Sequence, residues 1–204
     1  MRTIIIFLAV MLAQTAAYGQ ADDLLDRAAQ ACLSIRQAVA ERSADNVMLG
    51  MEKLEELPFS NLTLTDVDTG GEASLRGHLQ YDTQYLDSLL LCDMDMSLIQ
   101  VDGPFVLRNQ KAKILCTHRA VKAQSAVTYS VRAQGRQSLV VVSENGRTLN
   151  LHVNDKANGR KLSDASPGGK ELCRLDWTVE KPSTIDITIE NKAQTDTSFI
   201  IISN

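Results

Sequence analysis

Apolar and polar residues alternate in four successive runs along the last third of the chain. A period of two sends neighbouring side chains to opposite faces of a strand, so these runs predict a sheet with one buried face and one wet face. Asn145-Gly146, between the first two runs, is the strongest short signal for a tight hairpin turn. The runs are Ser138 to Val142, Arg147 to Val153, Cys173 to Val179 and Thr184 to Glu190.

The spacing of apolar residues becomes helical nearer the N-terminus. Between Leu24 and Val39 they recur every three or four positions, which is typical of one buried helical face. Ser43 to Asn46 interrupts this pattern and offers caps for a second helix, which Pro58 ends. Two helices joined by so short a turn are expected to form an antiparallel hairpin that covers a face of the sheet.

The segment between these two regions gives a mixed signal. Leucine and threonine alternate from Asn61, and residues 76–81 are a candidate strand. Residues 85–91 fit a short helix or a buried strand. Residues 105–122 fit a strand by the spacing of Ile114, Cys116 and His118, but their lysine and alanine content fits a helix. Both alternatives stay open for the last two segments.

Taken together, these patterns predict an α+β chain that is mainly β. We expect a helical hairpin at residues 20–58, followed by an antiparallel, jelly-roll-like β-sandwich at residues 59–204 that is best defined at 125–204. Removing 19 of the 204 residues leaves 185, which is enough for one domain of ordinary size or for a small domain with a helical extension.

The first residues have the order of a secretory signal peptide. Arg2 precedes the apolar run Ile4 to Ala13, and small residues follow at Ala17 and Gly19. We expect residues 1–19 to be removed, the mature chain to begin at Gln20, and the protein to be periplasmic or secreted. No later segment approaches the roughly 20 apolar residues of a membrane-spanning helix, so no transmembrane segment is expected after processing.

Charge and motif content argue against several function classes. The net charge is −4 and the basic residues are scattered, so no nucleic-acid partner is predicted. His78, His118 and His152 lack paired ligand spacing, and no Gly-x-Ser-x-Gly motif is present. We therefore assign no catalytic residue and favour a non-catalytic protein. A hydrolase assembled from separate strands is the alternative, and a Ser or Cys within reach of His118 or His152 would support it.

The four cysteines are widely spaced, which argues against a zinc site or a thioredoxin-type motif. Export would permit disulfides, and four cysteines allow three pairings. We favour Cys116 with Cys173, inside the β region, and Cys32 with Cys92, which would tie the helices to it. Buried free thiols are the alternative.

One loop contains enough oxygen-bearing side chains to suggest a metal site. Asn154, Asp155, Asn158 and Asp164 follow a predicted strand, and Ca²⁺ prefers six to eight oxygen ligands. Three basic residues within the cluster oppose a divalent cation, and the same residue types also make ordinary turns. Calcium is the only cofactor that the sequence suggests.

Trp177 raises the possibility of sugar stacking. It shares its strand face with Leu175 and Val179, however, so we predict that it is a core residue. A carbohydrate- or calcium-dependent binding module stays an alternative function.

Residues 127–204 carry a recognisable order of strands and turns. It consists of Tyr129-Ser130-Val131, the segment Leu139 to Gly146, Trp177, Ile187 to Asn191, and Ser198 to Ile202. This order resembles the small β-sandwich of the pre-peptidase C-terminal type, which is appended to secreted bacterial proteins as an accessory to an enzyme. The whole chain also resembles exported proteins of Gram-negative bacteria, from which no activity carries over. Because no catalytic constellation is found, we predict an exported, non-catalytic binding or accessory protein of the cell envelope or extracellular space, with a protein or another envelope component as partner.

Overall fold

The structure is a computed structural model, and it describes residues 23–62, 64–68, 114–144, 146 and 148–204. The predicted signal peptide, Cys92 and the candidate elements at 76–91 lie outside the described residues. The predicted fold class is confirmed, because two helices precede a large, mainly antiparallel β-structure.

None of the described helices combines the length and the apolar character needed to cross a membrane.

Helix α1 covers residues 23–40, and helix α2 covers Ala44–Glu55. The described strands are β1 (Phe59–Asn61), β2 (Thr65–Asp66), β3 (Ile114–Val121), β4 (Ala126–Ser143), β5 (Leu149–Asp155), β6 (Arg160–Asp164), β7 (Leu172–Asn191) and β8 (Thr197–Ser203). Strand β3 decides the ambiguous segment in favour of a strand for its described part. The third and fourth alternating runs of the sequence are one continuous strand, β7.

Strands β4 and β7 pair along their whole length but bend midway. Their register shifts between Ala133 and Gly135, and Gly135 has a φ of 75°, which favours glycine. Beyond the bend, residues 135–142 pair with 172–179 and are extended by β8, β3 and β1. Before it, residues 126–133 pair with 183–190 and are flanked by β2, β5 and β6. We call the first set the middle layer and the second the outer layer.

Two hydrophobic cores result from this arrangement. Leu139 and Val141 of β4 face the outer layer, whereas Val140 and Val142 face the helices. Strand β8 alternates in the same way along Phe199 to Ile202. The middle layer is therefore buried on both faces, and its strands read as continuous apolar runs for that reason. The predicted wet face belongs to the outer layer only.

The helices are fixed to the middle layer by packing and by ion pairs. The Arg36 guanidinium lies 2.6 Å from the Glu171 carboxylate, and Arg174 pairs with Asp26. The helices also approach each other closely, because a Cβ placed on Gly50 would lie 2.5 Å from Ile35 Cγ1. The predicted hairpin thus forms and covers a sheet face.

The connection from β4 to β5, which contains Gly146, does not join hydrogen-bonded neighbours. Gly146 has a φ of 67°, as a tight turn of this type requires. Strand β4 pairs with β7 and β8, however, while β5 pairs with β6 and β7. The turn therefore carries the chain from the middle layer to the outer layer, and the expectation of a β4–β5 hairpin was wrong. Periodicity had correctly placed Leu149, Leu151 and Val153 in the core shared with Leu139 and Val141.

Candidate functional site

The outward surface of the outer layer is an ordered array of polar side chains. Ile185, Ile187 and Ile189 of β7 point into the core, so the residues between them point outward. We call this surface the polar face. It consists of Thr128 and Ser130 of β4, Asn150, His152 and Asn154 of β5, Ser163 of β6, and Asp186, Thr188 and Glu190 of β7.

Hydrogen bonds between β4 and β7 fix the side chains on one side of the polar face. The Thr128 and Thr188 hydroxyl oxygens lie 2.9 Å apart, and Ser130 Oγ donates to Asp186 Oδ1 at 2.8 Å. Lys156 Nζ lies 2.6 Å from the other carboxylate oxygen of Asp186. The bond from Lys156, joined by that from Ser130, keeps the pKa of Asp186 below its ordinary value against the effect of burial. Asp186 is therefore ionised and paired at neutral pH.

Ser163, His152 and Glu190 form a second group on the same face. Ser163 Oγ lies 2.8 Å from His152 Nδ1, and His152 Nε2 lies 3.9 Å from Glu190 Oε2. Lys192 Nζ lies 2.6 Å from Glu190 Oε1, and Asn150 Nδ2 donates to Glu190 Oε2 at 3.3 Å. The Lys192 contact is the main reason that the pKa of Glu190 lies below its ordinary value, in spite of partial burial.

Strand register explains why these three side chains meet. His152 is the direct cross-strand partner of both Ser163 and Thr188, and Glu190 is diagonal to it on β7. Direct cross-strand neighbours have Cβ atoms about 5 Å apart, which brings short polar side chains into hydrogen-bond range. The His152 side chain keeps 41% of its surface exposed, so the group lies open on the surface. Its geometry is that of an ordered polar ladder with accessible donors and acceptors.

The four residues of the predicted calcium loop do not converge. Asp155 pairs in register with Arg160 and Asp164 with Leu151, so the two aspartates lie at opposite ends of the β5–β6 hairpin, about 13 Å apart along the strands. Asp164 accepts from the Arg174 backbone N–H at 2.8 Å and pairs with Lys170. Among the described residues, no group of three His, Cys, Asp or Glu side chains is arranged to hold a metal. Calcium binding by this set stays a prediction.

Asp155 has a different role, which the sequence analysis missed. Only 1% of its surface is exposed, and its carboxylate accepts from Asn158 N at 3.2 Å, Asn158 Nδ2 at 2.7 Å and Ser183 Oγ at 3.0 Å. Burial raises the pKa of Asp155, but these bonds outweigh burial and hold the pKa below its ordinary value. The carboxylate thus closes the β5–β6 turn and ties it to β7. An Asp followed three residues later by Asn and then Gly was the available sequence signal.

We expect Asp155→Ala to lower the free energy of unfolding by about 1–3 kcal/mol, because Asn158 and Ser183 lose a buried acceptor. Since the folded pKa lies below the unfolded value near 3.8, this stabilisation is complete above that pH and is lost as the pH falls through the folded pKa. Urea unfolding of the wild type and the variant, at neutral pH and in acid, measures both effects. Asp155→Asn, which retains one acceptor oxygen, is the matched control. A difference between wild type and variant that persisted unchanged in acid would contradict this role.

The described cysteines are buried and lie in two separate cores. Cys32 and Cys116 belong to the core beneath the helices, whereas Cys173 lies between the layers, where its thiol donates to Leu149 O at 3.4 Å. Burial raises the pKa of Cys173 to about 12. Because Cys116 and Cys173 face opposite sides of the middle layer, the pairing that we favoured from the sequence does not fit this arrangement. The partner assigned to Cys32 there, Cys92, lies outside the described residues.

Trp177, His118 and His78 are the remaining residues that the sequence suggested for a functional site. Trp177 is 7% exposed and packs in the core between the layers, so it does not present a ring to a sugar. His118 lies on β3, in the middle layer, and therefore on a different layer from His152. His78 is outside the described residues.

No protein-family model matches the chain, and no curated protein sequence matches it either. Several solved structures align with part of the chain. The pre-peptidase C-terminal domain of a Bacillus anthracis collagenase aligns at 8% identity and a TM-score of 0.35, over 43% of this chain and 88% of its own. A periplasmic inhibitor of g-type lysozyme from Aeromonas hydrophila aligns at 11% identity and a TM-score of 0.31, over 45% of this chain and 84% of its own. A domain of the pre-peptidase C-terminal type, which the sequence was expected to resemble, is thus among the solved structures to which part of this chain is similar at a low TM-score.

Proposed function

We propose that this protein is an exported, non-catalytic binding or accessory protein, and that its polar face contacts a protein or another component of the cell envelope. The observation that carries the proposal is the polar face itself. The helices cover the outward side of the middle layer, whereas the outward side of the outer layer carries a fixed array of hydrogen-bonding side chains.

The polar face is suited to binding because its groups are already held in place. Cross-strand contacts orient Ser130, Asp186 and Glu190 before any partner arrives. Groups that are fixed in advance lose less conformational entropy on association, so more of the contact energy appears as affinity. Lys156 and Lys192 add positive charges at the margin of the face, beside the two carboxylates that they contact. Such an arrangement favours a polar partner over an apolar one.

Charge reversal at this margin tests the proposal. We expect Lys156→Glu with Lys192→Glu to weaken binding to the isolated cell envelope of the host by about tenfold or more, which corresponds to a loss of about 1.4 kcal/mol. The measurement is cosedimentation of the labelled mature chain with envelope preparations, before and after protease treatment of the envelope. The protease arm separates a protein partner from another envelope component.

The control variant changes the net charge of the protein by the same amount, but at a site away from the polar face. Arg27→Glu with Lys53→Glu reverses two exposed basic residues on the helical hairpin, away from the polar face. We expect this variant to bind like the wild type. Equal loss in both variants, or binding by neither variant nor wild type, would overturn the proposal that the polar face is the binding surface.

Ser163, His152 and Glu190 support a hydrolase as the second candidate. In such a reaction the Ser163 oxygen would attack an ester carbonyl carbon while His152 Nδ1 took the hydroxyl proton, and the C=O π bond would open to an oxyanion. Collapse of that intermediate would break the bond to the alcohol, which would leave with the proton returned by His152, and water would then release the acyl group from Ser163 in the same way. The 2.8 Å contact between Ser163 and His152 suits that proton transfer. The 3.9 Å separation of His152 and Glu190 is longer than a hydrogen bond, so the acid does not fix the imidazole as tightly as a triad needs.

An activity measurement separates the two candidates. We expect the purified mature chain and its Ser163→Ala variant to hydrolyse an activated acetyl ester at the same background rate. Thr184→Ala, an exposed position on β7, is the control substitution. A rate that fell about tenfold or more in both Ser163→Ala and His152→Ala, but not in the control, would overturn the non-catalytic proposal in favour of a hydrolase.

A further inference from the structure

Two cysteines from distant parts of the sequence lie in the same core beneath the helical hairpin. Along α1, Leu25, Ala28, Cys32 and Ile35 recur at helical spacing and form a stripe that is buried against the middle layer. On β3, Ile114 and Cys116 are two residues apart, face the same side and belong to the same core as this stripe. Cys32 is 5% exposed and Cys116 is 4% exposed.

The two thiols are near enough to influence each other. Burial raises the pKa of Cys116 far above its ordinary value, and negative charge on Cys32 raises that pKa further. Cys173 lies across the middle layer, in the other core. Among the described cysteines, Cys116 therefore shares a core with Cys32 and with no other.

We propose that Cys32 and Cys116 are the pair that forms a disulfide under oxidising conditions, which ties α1 to β3. The occurrence of this bond in the host rests on the proposed export, because disulfides persist outside the cytosol. The oxidant is a disulfide donor such as oxidised glutathione. One cysteine thiolate attacks the donor and releases a thiol, and the second cysteine then attacks the mixed disulfide and releases the other. Two protons leave the protein, and the two electrons reduce the donor disulfide to two thiols.

The packing of the helices determines at which stage of folding this disulfide can form. The thiolate is the attacking species, and the core around Cys116 strongly favours the neutral thiol. A reduced, fully folded chain should therefore resist oxidation, whereas a chain whose α1 is not yet docked should react. Once formed, the bond lies beneath the helices and is shielded from reductants in the same way.

Disulfide mapping on the purified mature chain tests the pairing without any need for export. The reduced chain is refolded from denaturant in a buffer of oxidised and reduced glutathione, free thiols are alkylated, and unreduced peptides are analysed by mass spectrometry. We expect a linked peptide pair that contains Cys32 and Cys116. Alkylation of both residues, or linkage of either to another cysteine, would overturn the proposal. A parallel sample that is exposed to the same buffer without unfolding should remain reduced.

Thermal unfolding gives an independent check. Reduction should lower the Tm of the oxidised chain by roughly 10 °C, as expected for a bridge that closes a long loop. Cys173→Ala should keep this shift and Cys116→Ala should lose it; if Cys116→Ala does not fold, Cys32→Ala serves instead. A shift that is retained without Cys32 or Cys116 would contradict the pairing. Disulfide mapping on protein that is recovered from the host tests export separately. Free thiols in that protein, together with a disulfide in the refolded chain, would contradict the proposed export but not the pairing.

Discussion

Replacing Trp177 with alanine is expected to lower the free energy of unfolding by about 3–5 kcal/mol. The indole is 7% exposed and fills the core between the two layers together with Val179, Leu139 and Phe199. Removal of the indole leaves a large cavity between the two layers. This cavity cannot close, because β4 and β7 run through both layers and fix the distance between them. Urea unfolding followed by far-ultraviolet circular dichroism measures the loss.

Leu49→Ala is the matched control for the Trp177 variant. Leu49 is 49% exposed on α2, so its truncation should change stability by no more than about 0.5 kcal/mol. Glycan binding measured on the same two preparations addresses the alternative of a sugar-stacking platform. A Trp177→Ala chain that kept its stability and lost binding to a glycan would contradict the core assignment.

Ile200→Ala should be the second most damaging substitution, with a loss of about 2–5 kcal/mol. In a sandwich with one wet face, a residue that alternates with the core residue Phe199 would lie in water and tolerate truncation. Here Ile200 is buried against the helices together with Val142 and Ile202. The cost therefore measures the packing of the helical hairpin on the middle layer.

The control for Ile200 lies on the outer layer. Thr184 is exposed on β7 and alternates with the core residue Ile185 in the same way as Ile200 alternates with Phe199. Thr184→Ala should change the free energy of unfolding by no more than about 0.5 kcal/mol. Equal, small effects at both positions would mean that the helices do not cover the middle layer in solution.

Much of the fold can be predicted from periodicity, because a strand with one buried face has alternating apolar and polar residues. The stripe from Leu24 to Val39 identified α1, and the alternation at Ile185, Ile187 and Ile189 identified the outer layer. Strand pairing is not encoded in this way. Alternation gives the buried face of a strand but not its neighbour, so the sequence predicts a hairpin at Gly146 where the chain in fact connects two layers.

The polar face was harder to predict than the fold. Its members come from four strands, and their contacts depend on register between segments that are distant in sequence, such as Ser130 with Asp186. Ser163 carries no motif and meets His152 only because β5 and β6 pair in one particular register. Asp155 and Asp164 show the converse, since proximity in sequence suggested a shared loop and the hairpin placed them at its opposite ends.

The bend at Gly135 has a consequence for the way in which the protein opens. Because β4 and β7 run without interruption through both layers, neither layer contains a complete set of strands of its own. Separating one layer from the other would require breaking β4 and β7 at the bend or removing them from both cores at once. The amide protons of the two layers should therefore exchange with solvent as a single cooperative unit, while the edge strand β6 exchanges through local fluctuations.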